Sequence, residues 1–266
     1  MLKKLVPALS LLVALVPLVL QAAEPVRVRV VSYNIHHAEG TDAKLNLPRI
    51  AKVIAAANPD IVALQEVDQK VKRTGQVDQV AELAKLTKMN SVFGGNIPLQ
   101  GGWYGNAVMT RYASLSMTNH PLPQLGPGEK RGVIEADITI PGLDQPLKFL
   151  ATHFDHHRDD AERIASAKKI QKLAEGWKDR PALFAGDLNA TPESESIKLI
   201  TQDWTSANQK NLNTIPSQKP NRQIDYILYR PASGWKVIEF QVLDEPVASD
   251  HRGILAVLEW TGNANH

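Results

Sequence analysis

The chain has 266 residues, with 30 Lys+Arg, 28 Asp+Glu and no cysteine. Disulfides and thiolate metal sites are therefore excluded, and any metal must be held by oxygen and nitrogen ligands. Lys3 and Lys4 account for the whole basic excess, so the rest of the chain lacks the positive surplus of proteins that hold long nucleic acid by charge; a nuclease acting at a single site needs only a local patch.

The first residues, MLKKLVPALSLLVALVPLVLQAAEP, join two lysines to an apolar stretch and a small-residue exit at Ala22-Ala23. This is the pattern of a secretory signal peptide, 1–22, cleaved after Ala22 or Ala23. Pro7, Pro17 and the exit argue against an uncleaved anchor, and the lack of cysteine excludes a lipoprotein anchor. The expectation is a periplasmic or secreted monomer with no transmembrane segment after signal removal. Residues 23–266 are long enough for one domain with a substantial core.

In chain order, VRVRVVSYNI opens with Val26, Val28 and Val30 alternating with arginines, a strand that loses its alternation from Val31 and so enters the core. Pro48 starts a helix with Ile50, Val53, Ile54 and Ala57 on one face, closed by Asn58-Pro59. Ile61 to Val67 reads as a buried strand and Val77 to Lys88 as a helix. GGNIPLQGGWYGN reads as a long loop. Further strands are expected at Asn106 to Tyr112, Gly132 to Ile140, Leu147 to Phe154, Ala182 to Ala185, Gln223 to Tyr229, Trp235 to Val242 and Gly253 to Trp260. Asp159 or Asp160 is placed to cap a helix carrying Ile164, Ala167, Ile170, Leu173 and Trp177. Hairpin-length links mixed with helical crossovers predict an α+β protein with mixed sheets and outer helices.

Many of these strands end in polar groups: Asn34, Glu66, His153, Asp187 with Asn189, Asp225, and Asp250 with His251. Each alone has a structural explanation, as a turn former, surface charge or satisfied core histidine. Together they describe a site. Glu66 and Asp250 with Asn34 form an oxygen-rich set suited to a hard ion such as Mg²⁺. The histidines and remaining carboxyl and amide groups suit proton transfer and stabilisation of a phosphorane-like transition state, as phosphate ester hydrolysis requires.

The ordered motifs SYNI, LQEV, GNAVMTR, THFDH, GDLNA, IDYIL and SDH span nearly the whole chain after the signal. They make it resemble the endonuclease/exonuclease/phosphatase superfamily of Mg²⁺-dependent phosphohydrolases, which includes type I deoxyribonucleases, abasic-site endonucleases, inositol polyphosphate 5-phosphatases and neutral sphingomyelinases. The resemblance implies a four-layer α/β/β/α sandwich with the site at one rim of two mixed sheets. It implies that Glu66 is the principal ligand of Mg²⁺, or of Mn²⁺ in its place, with Asn34 and Asp250 completing or supporting the shell. Asp187 orients or deprotonates the attacking water, Asn189 donates to a phosphoryl oxygen, and His251, its tautomer fixed by Asp225, contacts phosphate. His153 is the second phosphate-facing histidine. Asp187 is preferred to a histidine as the base.

Around this set, Arg131, Arg222, Tyr104 and His156 are candidates for substrate contact, with Trp103 offering a flat face. His36-His37 and His156-His157 are adjacent pairs; on a strand only one of each faces the cleft, and His156 is the better placed. The substrate classes left open are nucleic acid, a lipid headgroup and a small phosphoester. A binding module without activity is disfavoured because the site set is complete.

Overall fold

A computed structural model describes residues 25–262 except 178, 209 and 211. The signal segment and its cleavage point lie outside the described residues. The chain opens with strand β1 (Val26–Asn34), helix α1 (Leu47–Ala57), β2 (Ile61–Gln69) and α2 (Gln79–Thr87). The hairpin β3 (Asn90–Leu99) and β4 (Gly102–Thr110) follows, then β5 (Leu115–Pro121), β6 (Gly132–Ile138) and β7 (Leu147–His153) of the other sheet. After α3 (Ala161–Ala174) come β8 (Ala182–Asp187), α4 (Glu195–Ile200), β9 (Thr205–Ser206), β10 (Asp225–Arg230), β11 (Trp235–Val242) and β12 (Ile254–Trp260).

Among the described residues the strands form two six-stranded sheets, ordered β11-β12-β1-β2-β4-β3 and β5-β6-β7-β8-β10-β9. Both are mixed: β1 pairs β2 in parallel and β12 antiparallel, while β8 pairs β7 in parallel and β10 antiparallel. Val28, Val30, Ile61, Ala63 and Val108 of the first sheet pack against Ile134, Phe149, Ala151, Leu183, Ala185 and Ile227 of the second. Each such Val, Ile, Leu or Phe contributes about 1.5–3 kcal/mol by leaving water. On the far side of the first sheet, Val31, Tyr33, Val62 and Leu64 meet Ile50 and Ile54 of α1 and Leu83 of α2. On the far side of the second, Leu150 and Phe184 meet Ala167 and Ile170 of α3 and Ile197 of α4. This is the expected α/β/β/α sandwich.

The helix signals work largely as the residues suggest. Asn46 caps α1 through Arg49 N–H, with proline in the first turn, and Asn58 closes it in the left-handed conformation. Asp78 caps α2 through Ala81 N–H. At α3 the two candidates divide, and Asp159 Oδ1 accepts from Ala161 N–H (3.1 Å) at the first helical residue. Asp160 stands at the N-cap, but its carboxylate accepts from Arg163 Nε and from Ser196 N–H and Oγ, tying α3 to α4 instead of capping its own helix.

The glycine-rich stretch is not a loop. It is the β3–β4 hairpin, in which Gly94, Gly95 and Gly105 sit within paired strands. A Cβ on Gly105 would run into the carbonyl of Gly94, and one on Gly95 would crowd the Trp103 side chain. These glycines answer to close backbone approach, which mimics loop composition. Strand β5 also escaped notice, because its run LSMTNHP alternates between half-buried and exposed positions at a sheet edge.

Gly186 is a close-approach position of the same kind, beside the Thr152 carbonyl of β7, which an added Cβ would strike. Gly186→Ala is therefore expected to destabilise the fold by about 1–3 kcal/mol, read as a lowered denaturant midpoint with an unchanged slope. An unchanged midpoint would show that β7 and β8 separate there freely.

Candidate active site

Strand alternation delivers most of the site. In β8, Leu183 and Ala185 face the sheet–sheet core, so the next residue of that row, Asp187, emerges between the sheets at the rim. The same parity carries Phe149 and Ala151 to His153 in β7, Ile227 and Tyr229 to Asp225 in β10, and Val28 and Val30 to Asn34 in β1. Four strand ends thus converge on one point.

Glu66 arrives differently. By alternation it would follow Val62 and Leu64 towards the helices, but β2 carries a bulge between Leu64 and Val67, where Gln65 and Glu66 together face Asn106 of β4. Glu66 has the left-handed φ of 58° that such a bulge demands. Its carboxylate, with that of Asp250, lines the cleft.

The two sheets meet through Asn34. Its Nδ2 donates to Glu66 Oε1 (2.9 Å) and to Asp187 Oδ2 (3.0 Å), while its Oδ1 accepts from His36 N–H (3.1 Å). Asn34 therefore orients the two carboxylates as a donor. Asp187 lies opposite Asp225 in the β8–β10 register, a like-charge pair that needs a cation. His251 supplies it, with Nδ1 3.0 Å from Asp225 Oδ2 and Nε2 3.6 Å from Asp187 Oδ2. Thr214 Oγ1 donates to the same Asp225 oxygen.

Burial opposes charge on His251, but Asp225 and Asp187 outweigh it and push the imidazole up to about 10. Burial pushes the Asp187 carboxyl up to about 7; the His251 charge works against this, and Asp225 adds to it. His153 is held the other way, well below the usual histidine range, by burial and then by Arg131. Arg131 Nη1 lies 3.0 Å from His153 Nδ1, and His153 Nε2 lies 3.4 Å from Asp187 Oδ2. The Asn189 amide lies 2.9 Å from that Nε2, and Asn189 N–H donates to Asp187 Oδ1 (2.9 Å). Asn189 reaches the site through this turn, with φ 48°, and not by continuing an extended strand.

The substrate-contact candidates divide. Arg131 is buried in the cleft wall, with Nη2 shared between His156 Nδ1 (3.1 Å) and Glu129 (2.8 Å). His156 lines the cleft, whereas His157 turns away to Asp155 (2.6 Å). Tyr104 lies in β4, not in an overhanging loop, and its hydroxyl is held above the usual range by burial and then by Glu66. Trp103, its strand neighbour, faces outward and is exposed. Arg222 is not brought to the site. It is exposed, outside the cleft lining, and its backbone pairs with Thr214 and Ile215.

The cleft measures about 460 Å³ and is lined in addition by His36, His37, Arg73, Ile97, Leu99, Glu129 and Ile215. Both histidines of the first pair face it, against the strand argument, because His36, His37 and Ala38 form a left-handed turn with φ of 44°, 42° and 63°. Such a conformation costs roughly 1–2 kcal/mol per residue and gathers at functional sites. Arg73 is anchored by two bonds to buried Asp68 (2.8 and 2.9 Å) and stacks over Tyr104 at 5.3 Å. Nothing in KRTG marked it, since its partner is five residues away in a buried strand.

The sequence matches the profile of the Endonuclease/Exonuclease/phosphatase family over residues 31–251. Among solved structures, an endonuclease/exonuclease/phosphatase from Beutenbergia cavernae is similar at 25% identity and TM-score 0.75, covering 89% of this chain and 72% of that one. The mannosyl-6-phosphatase of Bacteroides thetaiotaomicron matches at 19% identity and TM-score 0.70, covering 87% of this chain and 99% of that one. The catalytic domain of human Nocturnin with bound sulfate matches at 20% and TM-score 0.71, covering 88% and 95%. With a profile match across most of its length and two six-stranded sheets stacked as the motifs require, the chain belongs to the endonuclease/exonuclease/phosphatase family, whose members hydrolyse phosphate esters.

Proposed function

We propose that the chain is an exported, Mg²⁺-dependent phosphoesterase that hydrolyses phosphodiesters by in-line attack of water. The observation that carries this reading is the convergence of Asp187, His153 and His251 from two β-sheet strands and a loop, with Asp187 Oδ2 within 3.4 and 3.6 Å of the two rings. The donor set fits a hard divalent ion: two carboxylates, Glu66 and Asp250, face one cleft, and Asn34 fixes one Glu66 oxygen. Glu66 and Asp250 would hold the ion, which when bound neutralises charge on the phosphoryl oxygens.

The chain's own residues then divide the work. Asp187, ionised, takes a proton from the attacking water, and its other neighbours keep it pointed at the cleft. His251, charged and braced by Asp225, donates to a phosphoryl oxygen. Arg131 and Asn189 hold the His153 ring beside Asp187 at the cleft wall. Asn189 supplies a further amide donor. The cleft runs past these groups to Ile97 and Leu99, which leaves room for a second ester substituent and favours diesters over monoesters.

The test is a substrate panel of bis(p-nitrophenyl) phosphate, plasmid DNA, RNA, sphingomyelin, inositol phosphates and nucleotide phosphates. Turnover of at least one diester is expected with Mg²⁺ or Mn²⁺, abolished by EDTA and by Glu66→Ala. Turnover confined to monoesters would overturn the diester reading, and full activity of Glu66→Ala would overturn the metal assignment. Export is supported by the lysines, apolar stretch and Ala22-Ala23 exit of the first 23 residues. N-terminal sequencing of the processed protein should begin at Ala23 or Glu24, and an intact Met1 would exclude cleavage.

A further inference from the structure

We propose that His36, His37 and Glu66 form a binding site for a borderline divalent transition ion such as Zn²⁺ or Co²⁺. Two imidazoles and one carboxylate with open positions left for water are a donor set such ions favour, and one that Mg²⁺ does not seek. The ligand atoms of the three residues all lie within 4.8 Å of one another, so side-chain rotation alone brings them onto one ion.

The surroundings prepare the rings as ligands. His36 Nδ1 lies 3.1 Å from the Glu39 carbonyl. Donation of Nδ1–H to that carbonyl leaves the lone pair on Nε2. His37 Nε2 lies 3.5 Å from the Glu39 carboxylate. Glu39 thus stands beside one nitrogen of each imidazole, where the outer partners of metal-bound histidines stand. Gln79 Nε2 fixes the His37 carbonyl at 2.7 Å, anchoring the turn to helix α2. Adjacent histidines diverge on a strand; here three consecutive left-handed residues bring both rings to the cleft beside Glu66, itself left-handed at φ 58°. Asn34 occupies Glu66 Oε1, and Oε2 remains for the ion.

Glu66 is common to this site and to the proposed hydrolysis, whereas His36 and His37 have no part in the latter. An inactive protein that binds Co²⁺ through the two histidines would leave the site standing and remove the proposed function. Turnover with Mg²⁺ without such binding would do the reverse.

The experiment uses chelator-stripped protein titrated with Co²⁺, followed by visible absorption, calorimetry and imidazole proton resonances assigned with single His→Gln variants. One Co²⁺ per chain is expected, with the His36 and His37 resonances strongly shifted and that of His120, paired with Glu135 outside the cleft, unmoved. His36→Gln/His37→Gln should bind Co²⁺ at least about 100-fold more weakly, and Glu39→Gln about 10–100-fold more weakly. Wild-type affinity in the double variant, or unshifted His36 and His37 resonances at saturating Co²⁺, would overturn the site. Should the double variant fail to fold, the wild-type shifts and Glu39→Gln decide.

Discussion

Asp187→Asn is expected to lower kcat by about 10³–10⁴-fold and, in EDTA at pH 8, to raise the midpoint of thermal unfolding. The two effects share one cause. Asp187 is buried opposite Asp225, and burial has pushed its carboxyl from 3.8 up to about 7. A folded-state value above the unfolded one means the folded protein binds the extra proton between about pH 4 and 7, so stability falls as pH rises through that window. Asparagine carries no charge to desolvate and escapes this loss. The gap in unfolding midpoint between variant and wild type should therefore open from pH 4 to 7 and stay open above. The function-bearing carboxylate weakens the fold around it. A variant with wild-type turnover would remove Asp187 from the chemistry, and a gap that does not widen with pH would remove the burial argument.

His251→Ala should lower kcat by about 10²–10³-fold with little change in KM, the pattern of a contact made mainly in the transition state. The ring is fixed by Asp225 and, through Asp225, by Thr214. Despite burial, the two carboxylates push it up to about 10. A raised histidine stabilises the fold fully below its unfolded value near 6.5 and loses that contribution as pH rises through 10. Hence the stability advantage of wild type over His251→Gln should shrink between pH 7 and 10. A raised KM with unchanged kcat would instead assign His251 to ground-state binding, and a gap independent of pH would show the ring to be neutral.

Asp187, His153, Asp225 and Asn34 were legible because each ends an apolar run whose parity the eye can follow. The sandwich was legible for the same reason, since those runs are also its core. Glu66 stood out as a charge closing a buried strand, but its direction depends on a bulge, and nothing in LQEV announces the extra residue. The β3–β4 hairpin was hidden because crowding against a neighbouring strand and freedom in a loop both select glycine. Arg222 misled because proximity in sequence to Asp225 is not proximity in space: the chain turns into strand only at Asp225, and the arginine is left in solvent. The His36-His37 pair was judged by strand rules that a left-handed turn suspends.

The two routes into the cleft differ in what a mutation can reach. Asp187, His153, Asp225 and Asn34 end the rows that build the sheet–sheet core, so a single-residue insertion or deletion within β1, β7, β8 or β10 inverts the apolar row together with the site residue. Such a chain fails to fold and leaves no descendant. Glu66 hangs on one surplus residue in β2. Deleting Glu66 would restore regular pairing and remove the left-handed residue, leaving Gln65 alone between Leu64 and Val67, on the sheet–sheet side and opposite Asn106. The bulge is thus a short evolutionary path by which a lineage of this fold would give up this carboxylate yet keep its architecture.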